Sequence, residues 1–269
     1  MSNQEHTEAI WITGGGTGIG RALALEAARL GKMVAISGRR ERKLSAVIDE
    51  LRAVGIAEKM CISVPCDVTD EESLNSAAQH IIDAFGRIDT VVANAGFSVS
   101  GSTTSVSSEE WRLQFEVNVF GAVSTFRAAW EEVLRNQGRF VLIGSAAAFI
   151  NTPTNGPYCS SKAAIHAIGN SLSLELEGTG ATCTIIHPGF IESEIGQVDN
   201  SGQFQESWED RRPQWLMWTA EDAAKGMMHA IERRKKVKTI TFHAWFGVLL
   251  SRLSPAAVRW IIKRFSRSV

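Results

Sequence analysis

The sequence predicts an α/β fold: one domain with a doubly wound parallel sheet of about seven strands and helices on both faces. Two observations carry this prediction. Short, almost continuously apolar runs alternate with amphipathic stretches from Ala9 to Phe242, a pattern typical of parallel strands buried between crossover helices. No Pro/Ser-rich linker or internal repeat divides the 269 residues, so we expect a single unit.

The individual elements follow in order along the chain. The apolar runs predict strands over residues 9–13, 33–37, 59–64, 88–94, 138–144, 181–187 and 237–242. Helical spacing follows the first two strands, over residues 19–30 and 41–54. "TDEE" (69–72) predicts a capping box for the third helix, and "SSEE" (107–110) is the start signal of the fourth. Ligands bind at the carboxyl ends of such strands, so the residues just after each run are the candidates for a site.

Composition limits the function classes. The formal net charge of −1 does not favour nucleic acid as a partner. The four cysteines fit neither a C-x-x-C motif nor a disulfide framework, so buried reduced thiols and a cytoplasmic location are expected. The polar start of the chain lacks an apolar signal segment. We expect residues 1–8 to be disordered, 9–243 to form the domain with a substrate lid at 189–218, and 244–269 to form a basic amphipathic extension.

A glycine-rich stretch follows the first strand and opens a helix. "TGGGTGIG", residues 13–20, has the spacing G-x-x-x-G-x-G through Gly14, Gly18 and Gly20. Glycine allows a sharp turn and close approach of a ligand, and a helix start offers N–H groups and a positive dipole end to phosphate. The stretch predicts a phosphate cradle, with a simple tight turn as the alternative.

An ordered set of motifs accompanies this loop. Thr13-Gly14-x-x-x-Gly18-x-Gly20, Asn94-Ala95-Gly96, Ser145, Tyr158-x-x-x-Lys162 and Pro188-Gly189 each lie just beyond a predicted strand or open a helix. With them the chain resembles the short-chain dehydrogenase/reductase family, in its compact single-domain branch, over about residues 9–242. The resemblance implies a Rossmann-type sheet, a nicotinamide cofactor, a small carbonyl or alcohol substrate, and a homodimer or homotetramer.

Tyr158 is the single tyrosine of the chain and stands four residues before Lys162. This spacing places both side chains on one helix face, where an ammonium would lower the pKa of the phenol. The resemblance implies that Tyr158 is the general acid/base, that Lys162 holds the cofactor ribose, and that Ser145 binds the substrate oxygen. It also implies that Asn118 supports a water relay behind the lysine. The alternative is a core tyrosine beside a solvated lysine.

The end of the second strand bears on the choice of cofactor. An Asp that would bind both ribose hydroxyls is replaced by Gly38, and Arg39 follows. A guanidinium pairs with a 2′-phosphate, so the sequence favours NADP(H) over NAD(H), with Ser37, Arg39 and Arg40 as phosphate contacts. Arg42 and Lys43 are expected to be solvated, and Thr17 supplies no second basic residue. The resemblance assigns the rest of the cofactor site to Gly14, Gly16, Thr17, Gly18, Ile19, Gly20, Asp67, Val68, Asn94, Ala95, Gly96, Tyr158, Lys162, Pro188, Gly189, Ile191 and Ser193.

The substrate side is less defined. Phe97 and Phe149 are predicted to border the substrate together with Ser145 and Tyr158, which favours an apolar compound. The lid residues Trp208, Trp215, Leu216, Met217 and Trp218 either line this pocket or pack the lid down. The histidines show no metal-ligand spacing, so no metal site is predicted.

The tail places Val258, Ile261, Ile262 and Phe265 on one stripe and Arg259, Lys263 and Arg267 opposite. Such a helix either lies on a membrane surface or covers the pocket or a dimer partner, and the protein-docking alternative is preferred.

The leading hypothesis is therefore an NADP(H)-dependent oxidoreductase that interconverts a carbonyl and an alcohol. The alternative is a nucleotide-binding sensor or scaffold of the same fold without turnover.

Overall fold

The computed structural model describes residues 7–210 and 212–266. Most of the segment predicted to be disordered, and Arg267 and the Phe265 side chain of the predicted tail stripes, lie outside the described residues. Within the described part the chain forms one sheet of seven parallel strands. The strands are β1 Ala9–Thr13, β2 Met33–Gly38, β3 Cys61–Pro65, β4 Thr90–Ala93, β5 Arg139–Ile143, β6 Thr182–Pro188 and β7 Val237–Ile240.

The strand order is β3-β2-β1-β4-β5-β6-β7. The chain winds outward from β1 to β3 and then restarts on the other side of β1 with β4, so the topological switch point lies between β1 and β4. The connections contain the α-helices α1 Gly18–Arg29, α2 Glu41–Ala53, α3 Glu71–Phe85, α4 Ser108–Phe115, α5 Gly121–Arg135, α6 Gly156–Glu175 and α7 Ala220–Glu232. Helices α8 Phe242–Leu253 and α9 Pro255–Ser266 end the described chain.

The core has two layers, one on each face of the sheet. Apolar residues of α1, α2 and α7 pack on one face, and those of α3, α5 and α6 pack on the other. Strands β1 and β5 are buried at every position, because they are covered on both faces. The predicted doubly wound α/β fold is confirmed. The four cysteines are free and buried, as predicted.

Two local predictions are corrected. The N-cap of α3 is Asp70, whose carboxylate accepts from the backbone N–H groups of Glu72 and Ser73, so the capping box predicted to start at Thr69 is wrong. The Thr69 hydroxyl instead donates a hydrogen bond of 2.8 Å to the Asp67 carboxylate. The predicted helix start at Ser107 is confirmed, and there Ser107 and Glu110 form a capping box with both reciprocal hydrogen bonds. The last strand ends before Thr241, since the Thr241 hydroxyl accepts from Ala244 N–H and caps α8.

None of the helices within residues 7–210 and 212–266 is long and apolar enough to cross a membrane.

Candidate active site

A cleft of about 670 Å³ lies at the carboxyl ends of the central strands. It spans the switch point, where the loops after β1 and β4 face each other. Among the predicted cofactor residues, all but Ser37 line this cleft: Gly14, Gly16, Thr17, Gly18, Ile19, Gly20, Arg39, Arg40, Asp67, Val68, Asn94, Ala95, Gly96, Tyr158, Lys162, Pro188, Gly189, Ile191 and Ser193. The structure therefore brings together residues that are up to 179 positions apart in the chain.

The glycine loop fits a phosphate cradle. Gly14 has a φ of +64°, and a Cβ there would lie 2.9 Å from the Ala95 Cα atom. A Cβ on Gly20 would lie 2.2 Å from the Gly14 carbonyl oxygen. A side chain at either position would fill the space in which the backbone turns into α1. No acidic residue stands in the first turn of α1, so its N–H groups and positive dipole end remain available to an anion.

Hydrogen bonds hold this loop against the loop after β4. The Asn94 side-chain amide donates to the carbonyl oxygens of Thr13 (2.9 Å) and Gly14 (3.1 Å). The Thr13 hydroxyl accepts from the backbone N–H groups of Asn94 (3.1 Å) and Ala95 (3.2 Å). Asn94 therefore both lines the cleft and fixes the shape of the cradle, which a single sequence motif does not show.

The end of β2 corrects one predicted contact. Ser37 is completely buried, and its hydroxyl accepts a hydrogen bond of 2.9 Å from the Trp11 indole N–H. Ser37 does not line the cleft, so its assignment as a phosphate contact is wrong. The physical reason is that side chains alternate between the two faces of a strand, and Ser37 lies on the face that also buries Trp11.

Three cations border the same end of the cleft. Arg39 donates to the Gly202 carbonyl oxygen at 3.0 Å. Arg40 and Lys43 both pair with Glu194, at 2.7 and 2.9 Å. Lys43 is exposed, as predicted, and from the first turn of α2 it also reaches Glu194. Burial opposes ionisation of Glu194, but the Lys43 and Arg40 contacts outweigh it and lower the pKa of this carboxyl.

Tyr158, Lys162 and Ser145 meet at the opposite end. The Lys162 Nζ lies 5.7 Å from the Tyr158 ring centroid and donates to the Ile143 carbonyl oxygen at 2.8 Å. Lys162 is 5% exposed, and burial lowers the pKa of its amine to about 8. Burial raises the pKa of the Tyr158 phenol, and the hydrogen bond with the Ser145 hydroxyl only partly opposes it. The expected lowering of the Tyr158 pKa is therefore wrong, since burial outweighs the Ser145 hydrogen bond and the Arg212 charge that oppose it.

Asn118 lies behind this group in a π-helical turn, Glu116–Phe120, between α4 and α5. Its side-chain amide donates to the Phe97 carbonyl oxygen (3.0 Å) and the Ser161 hydroxyl (3.2 Å). Its oxygen accepts from the Phe97 N–H at 3.0 Å. Asn118 is buried and does not line the cleft. Its side chain holds the Phe97 backbone, and the water relay stays a prediction.

Two histidines, His166 and His187, lie in contact behind Ser145 although no sequence motif links them. The His187 Nδ1 is 3.0 Å from the Ser145 carbonyl oxygen, and its Nε2 is 3.1 Å from the His166 Nδ1. A carbonyl only accepts, so His187 Nδ1 carries the proton and His166 Nδ1 donates to His187 Nε2. The Asn170 amide then donates to the other nitrogen of His166, at 3.1 Å. Burial lowers the pKa of His187 to about 4, so the chain of donors is neutral.

Of the two aromatic residues predicted to border the substrate, one lies in the cleft. Phe97 lines the cleft, and its contact with a substrate stays a prediction. Phe149 does not; its ring packs edge-on against His166 and His187 at 4.7 and 4.9 Å, and Arg252 covers it at 5.0 Å. The prediction that Phe149 borders the substrate is therefore wrong.

The lid between β6 and α7 is held by Arg212. Its guanidinium donates to the carbonyl oxygens of Ile191 (3.0 Å) and Ser193 (2.9 Å) and pairs with Asp210 at 2.6 Å. The lid tryptophans neither line the cleft nor are buried beneath the lid. Trp208, Trp215 and Trp218 are 47%, 84% and 42% exposed and lie outside the cleft lining. Sequence reasoning missed Arg212 because the carbonyl groups that it holds, those of Ile191 and Ser193, lie 21 and 19 positions earlier in the chain.

Comparisons with known proteins agree with this architecture. A family model described as short chain dehydrogenase matches residues 8–203. The chain is 30% identical over 265 residues to 11-beta-hydroxysteroid dehydrogenase A of Sesamum indicum, covering 95% of this chain and 74% of that protein. The chain belongs to the short-chain dehydrogenase family, and it is by class an oxidoreductase.

Solved structures share the fold. A short chain dehydrogenase/reductase from Burkholderia phymatum in complex with NAD superposes with a TM-score of 0.81 at 25% identity, covering 91% of this chain and 92% of the other. An alcohol dehydrogenase from the archaeon Thermococcus sibiricus, complexed with 5-hydroxy-NADP, superposes with a TM-score of 0.74 at 24% identity, covering 87% and 95%. The second likeness shows the fold alone.

Proposed function

We propose that this chain is an NADP(H)-dependent oxidoreductase that interconverts an apolar carbonyl compound and its alcohol, with Tyr158 as general acid/base. The observation that carries the proposal is the convergence of the Tyr158 phenol, the Ser145 hydroxyl and the Lys162 amine in the cleft that also holds the glycine cradle. The solved Burkholderia phymatum relative of this fold, 25% identical to this chain, is a complex with NAD, which supports a nicotinamide cofactor here.

The residues of the cleft fit such a cofactor. The cradle around Gly14 and Gly20 excludes side chains and leaves the α1 N-terminus available to a pyrophosphate. Lys162 presents a buried amine that would hold a ribose hydroxyl. A nicotinamide bound here would supply or accept the hydride. The reacting carbon of the substrate must then lie beside Tyr158 and Ser145, since these two hydroxyls bind its oxygen.

The geometry supports a proton transfer by Tyr158. Because burial raises the pKa of the phenol, Tyr158 holds its proton at neutral pH and is ready to donate it to a carbonyl oxygen. Ser145 donates a hydrogen bond to the same oxygen and stabilises the charge that develops there. Lys162, with a pKa of about 8, is mostly protonated at neutral pH and stabilises the phenolate that results. In the oxidative direction the same atoms act in reverse.

The preference for NADP(H) rests on charge at the adenosine end. Gly38 leaves no carboxylate at the end of β2, and Arg39 borders the cleft. Glu194, an acid that also lines the cleft, is paired with Arg40 and Lys43. A 2′-phosphate bound at the end of β2 would therefore meet the Arg39 guanidinium. The apolar substrate is supported by Phe97, Val117, Ile143 and Val198, which line the cleft.

The test is oxidation of NADPH in a screen of aldehydes, ketones, steroids and 3-oxoacyl compounds. On a substrate found this way, Tyr158→Phe keeps the ring and removes the proton, so kcat should fall at least about 100-fold while NADPH binding persists. Ser160→Ala is the matched control, because Ser160 is exposed on the same helix and bonds only to the Gly156 carbonyl oxygen. Its kcat should stay unchanged.

Two outcomes would contradict the proposal. Nearly intact turnover by Tyr158→Phe would show that Tyr158 is not the general acid/base. Tight binding of NADPH by the unmodified chain, without turnover of any compound in the screen, would favour the sensor or scaffold instead.

A further inference from the structure

The last two helices carry an apolar face that the rest of the described chain does not cover. On α8, five large side chains are exposed by 72%, 50%, 52%, 39% and 75%: Phe242, Trp245, Phe246, Leu249 and Leu253. We call these five residues the outer face of α8. Trp260 and Ile261 on α9 are also exposed, by 69% and 36%. Exposed apolar groups clustered in this way mark an interaction surface.

Helical geometry places the five residues of the outer face together. Positions 242, 246, 249 and 253 lie within about 60° of one another around a helix of 3.6 residues per turn, and position 245 borders them. The Phe242 ring lies 6.0 Å from that of Trp245 and 6.5 Å from that of Phe246. Ala244 and Val248, on the opposite side, are buried against the domain. The outer face is therefore a continuous aromatic and aliphatic stripe turned away from the core.

The surrounding charge has one sign. Glu232 is the last acidic residue of the sequence, and the 37 residues after it contain ten Lys or Arg and no Asp or Glu. The first 232 residues carry the other 18 basic and all 29 acidic side chains. On the helices themselves Arg252, Arg259, Lys263 and Arg264 are exposed. A chain with a net charge of −1 thus concentrates a strong positive charge beside its apolar face.

The exposed apolar residues and the neighbouring cations together distinguish two binding partners, a second copy of this chain and an anionic bilayer. In a two-fold dimer the same patch faces itself, so the cations of both copies would be brought together without any acid of their own segment to pair with. An anionic bilayer accepts the aromatic and aliphatic groups at its interface and attracts the cations at the same time. The observed pairing of exposed Trp and Phe with exposed Arg and Lys suits the bilayer.

We propose that helices α8 and α9 bind the surface of an anionic membrane through the outer face of α8 and the neighbouring cations. The surface lies beside the catalytic cleft: α8 packs on the loop after β5, where Arg252 covers Phe149 and Gly247 leaves room for Ile150. Phe149 in turn contacts His187, which binds the Ser145 carbonyl. Membrane binding through this surface needs no turnover, so it can be tested independently of the proposed function.

The experiment is flotation of the full chain with vesicles of phosphatidylcholine alone and of phosphatidylcholine with about 30% phosphatidylserine, a content chosen to give an anionic surface. The chain should float with the anionic vesicles, and raised salt should release it. The double variant Trp245→Ser/Phe246→Ser should weaken this binding at least about tenfold. Val54→Ser removes an apolar side chain that is more exposed (71%) but lies at the end of α2, away from the outer face of α8, and this variant should bind like the unmodified chain.

A second variant keeps the test decisive if the apolar double variant does not fold. Arg259→Gln/Lys263→Gln changes exposed side chains only and should reduce binding to anionic vesicles at least about tenfold. Sedimentation of the free chain and of each variant supplies the competing outcome. The proposal is overturned if the unmodified chain fails to float or if it binds both vesicle types equally. A non-floating chain that forms an oligomer, and loses it in the Trp245→Ser/Phe246→Ser variant, would show that the outer face of α8 binds a second copy instead.

Discussion

Arg39 is the residue on which the proposed cofactor preference depends. Its guanidinium borders the adenosine end of the cleft, and its one hydrogen bond within residues 7–210 and 212–266 goes to the Gly202 carbonyl of the lid, so it is available to a phosphate. Arg39→Gln should lower kcat/KM with NADPH by about 10- to 100-fold, the effect of one charge-assisted contact, and leave that with NADH nearly unchanged.

The matched control for this prediction is Arg42→Gln. Arg42 is exposed near the start of the same helix and does not line the cleft, so the ratio of the two cofactors should stay as in the unmodified chain. A clear preference of the unmodified chain for NADH would contradict the assignment of Arg39.

His187 predicts a pH dependence of stability. Its pKa is lowered by burial, from an ordinary value of 6.5 to about 4. Between these values the unfolded chain binds a proton that the folded chain does not, so the free energy of unfolding falls as the pH drops from 6.5 to 4. The fall expected from this one group is about 3 kcal/mol. The nearby His166, Lys162 and Arg252 are cationic or become so, and they act in the same direction.

His187→Asn keeps an amide donor near the Ser145 carbonyl and removes the titration. Urea unfolding at several pH values should show a flatter profile for the variant between pH 4 and 6.5. Profiles that run parallel for the two proteins would show that His187 takes up its proton in the folded chain as readily as in the unfolded one.

At the scale of the element, α1 depends on a glycine inside its first turn. A Cβ on Gly20 would lie 2.2 Å from the Gly14 carbonyl oxygen, which belongs to the backbone and cannot rotate away. Gly20→Ala should therefore lower the free energy of unfolding by about 2 kcal/mol, as overpacking does, and weaken NADPH binding in a fluorescence titration. The gain in helix propensity from alanine is smaller, about 1 kcal/mol.

Gly226→Ala is the matched control, since Gly226 lies in α7 and its nearest neighbour would be a flexible Ile240 methyl at 3.5 Å. This change should raise the free energy of unfolding by about 0.5–1 kcal/mol. Equal effects of the two substitutions would mean that the approach of α1 to the glycine loop does not restrict position 20.

At the scale of the whole molecule, an ion-pair cluster joins distant segments at the end of the sheet opposite the cleft. Lys32, 8% exposed, pairs with Glu8 and with Glu232, the latter at 3.0 Å, and Arg139 contacts Glu8 at 3.1 Å. These residues come from the segment before β1, the turn before β2, the start of β5 and the end of α7. Burial opposes ionisation of Glu8, but Lys32 and Arg139 outweigh it and lower the pKa of the carboxyl.

Lys32→Met should lower the free energy of unfolding at pH 7 by about 2 kcal/mol, because two carboxylates lose a buried partner while remaining partly exposed. The stabilisation from Glu8 is present above its ordinary pKa of 4.5 and is lost as the pH falls through the lowered folded value. Lys225→Met breaks an exposed pair with Asp222 and should change stability by less than about 0.5 kcal/mol. Similar losses in both variants would contradict a cooperative cluster.

The strands, most helices and the order of the site motifs were predictable because they depend on local signals. Continuous apolar runs such as β1 and β5 show burial on both faces, the Ser107 and Glu110 pair shows a helix start, and glycine marks the turn into α1. Parallel strands bring their carboxyl ends to one edge, so placing the motifs after the strands was sufficient to gather them into one cleft.

Tertiary structure alone decided which way individual side chains turn and what surrounds them. Ser37 bonds Trp11 inside the sheet, and Phe149 packs on His187, so neither reaches the cleft. The pKa of Tyr158 is raised and not lowered because burial, which a four-residue spacing does not show, outweighs the Ser145 hydrogen bond and the Arg212 charge. Sequence fixes the periodicity and the covalent neighbours of a residue, whereas direction, burial and long-range pairing arise only when separate segments pack together.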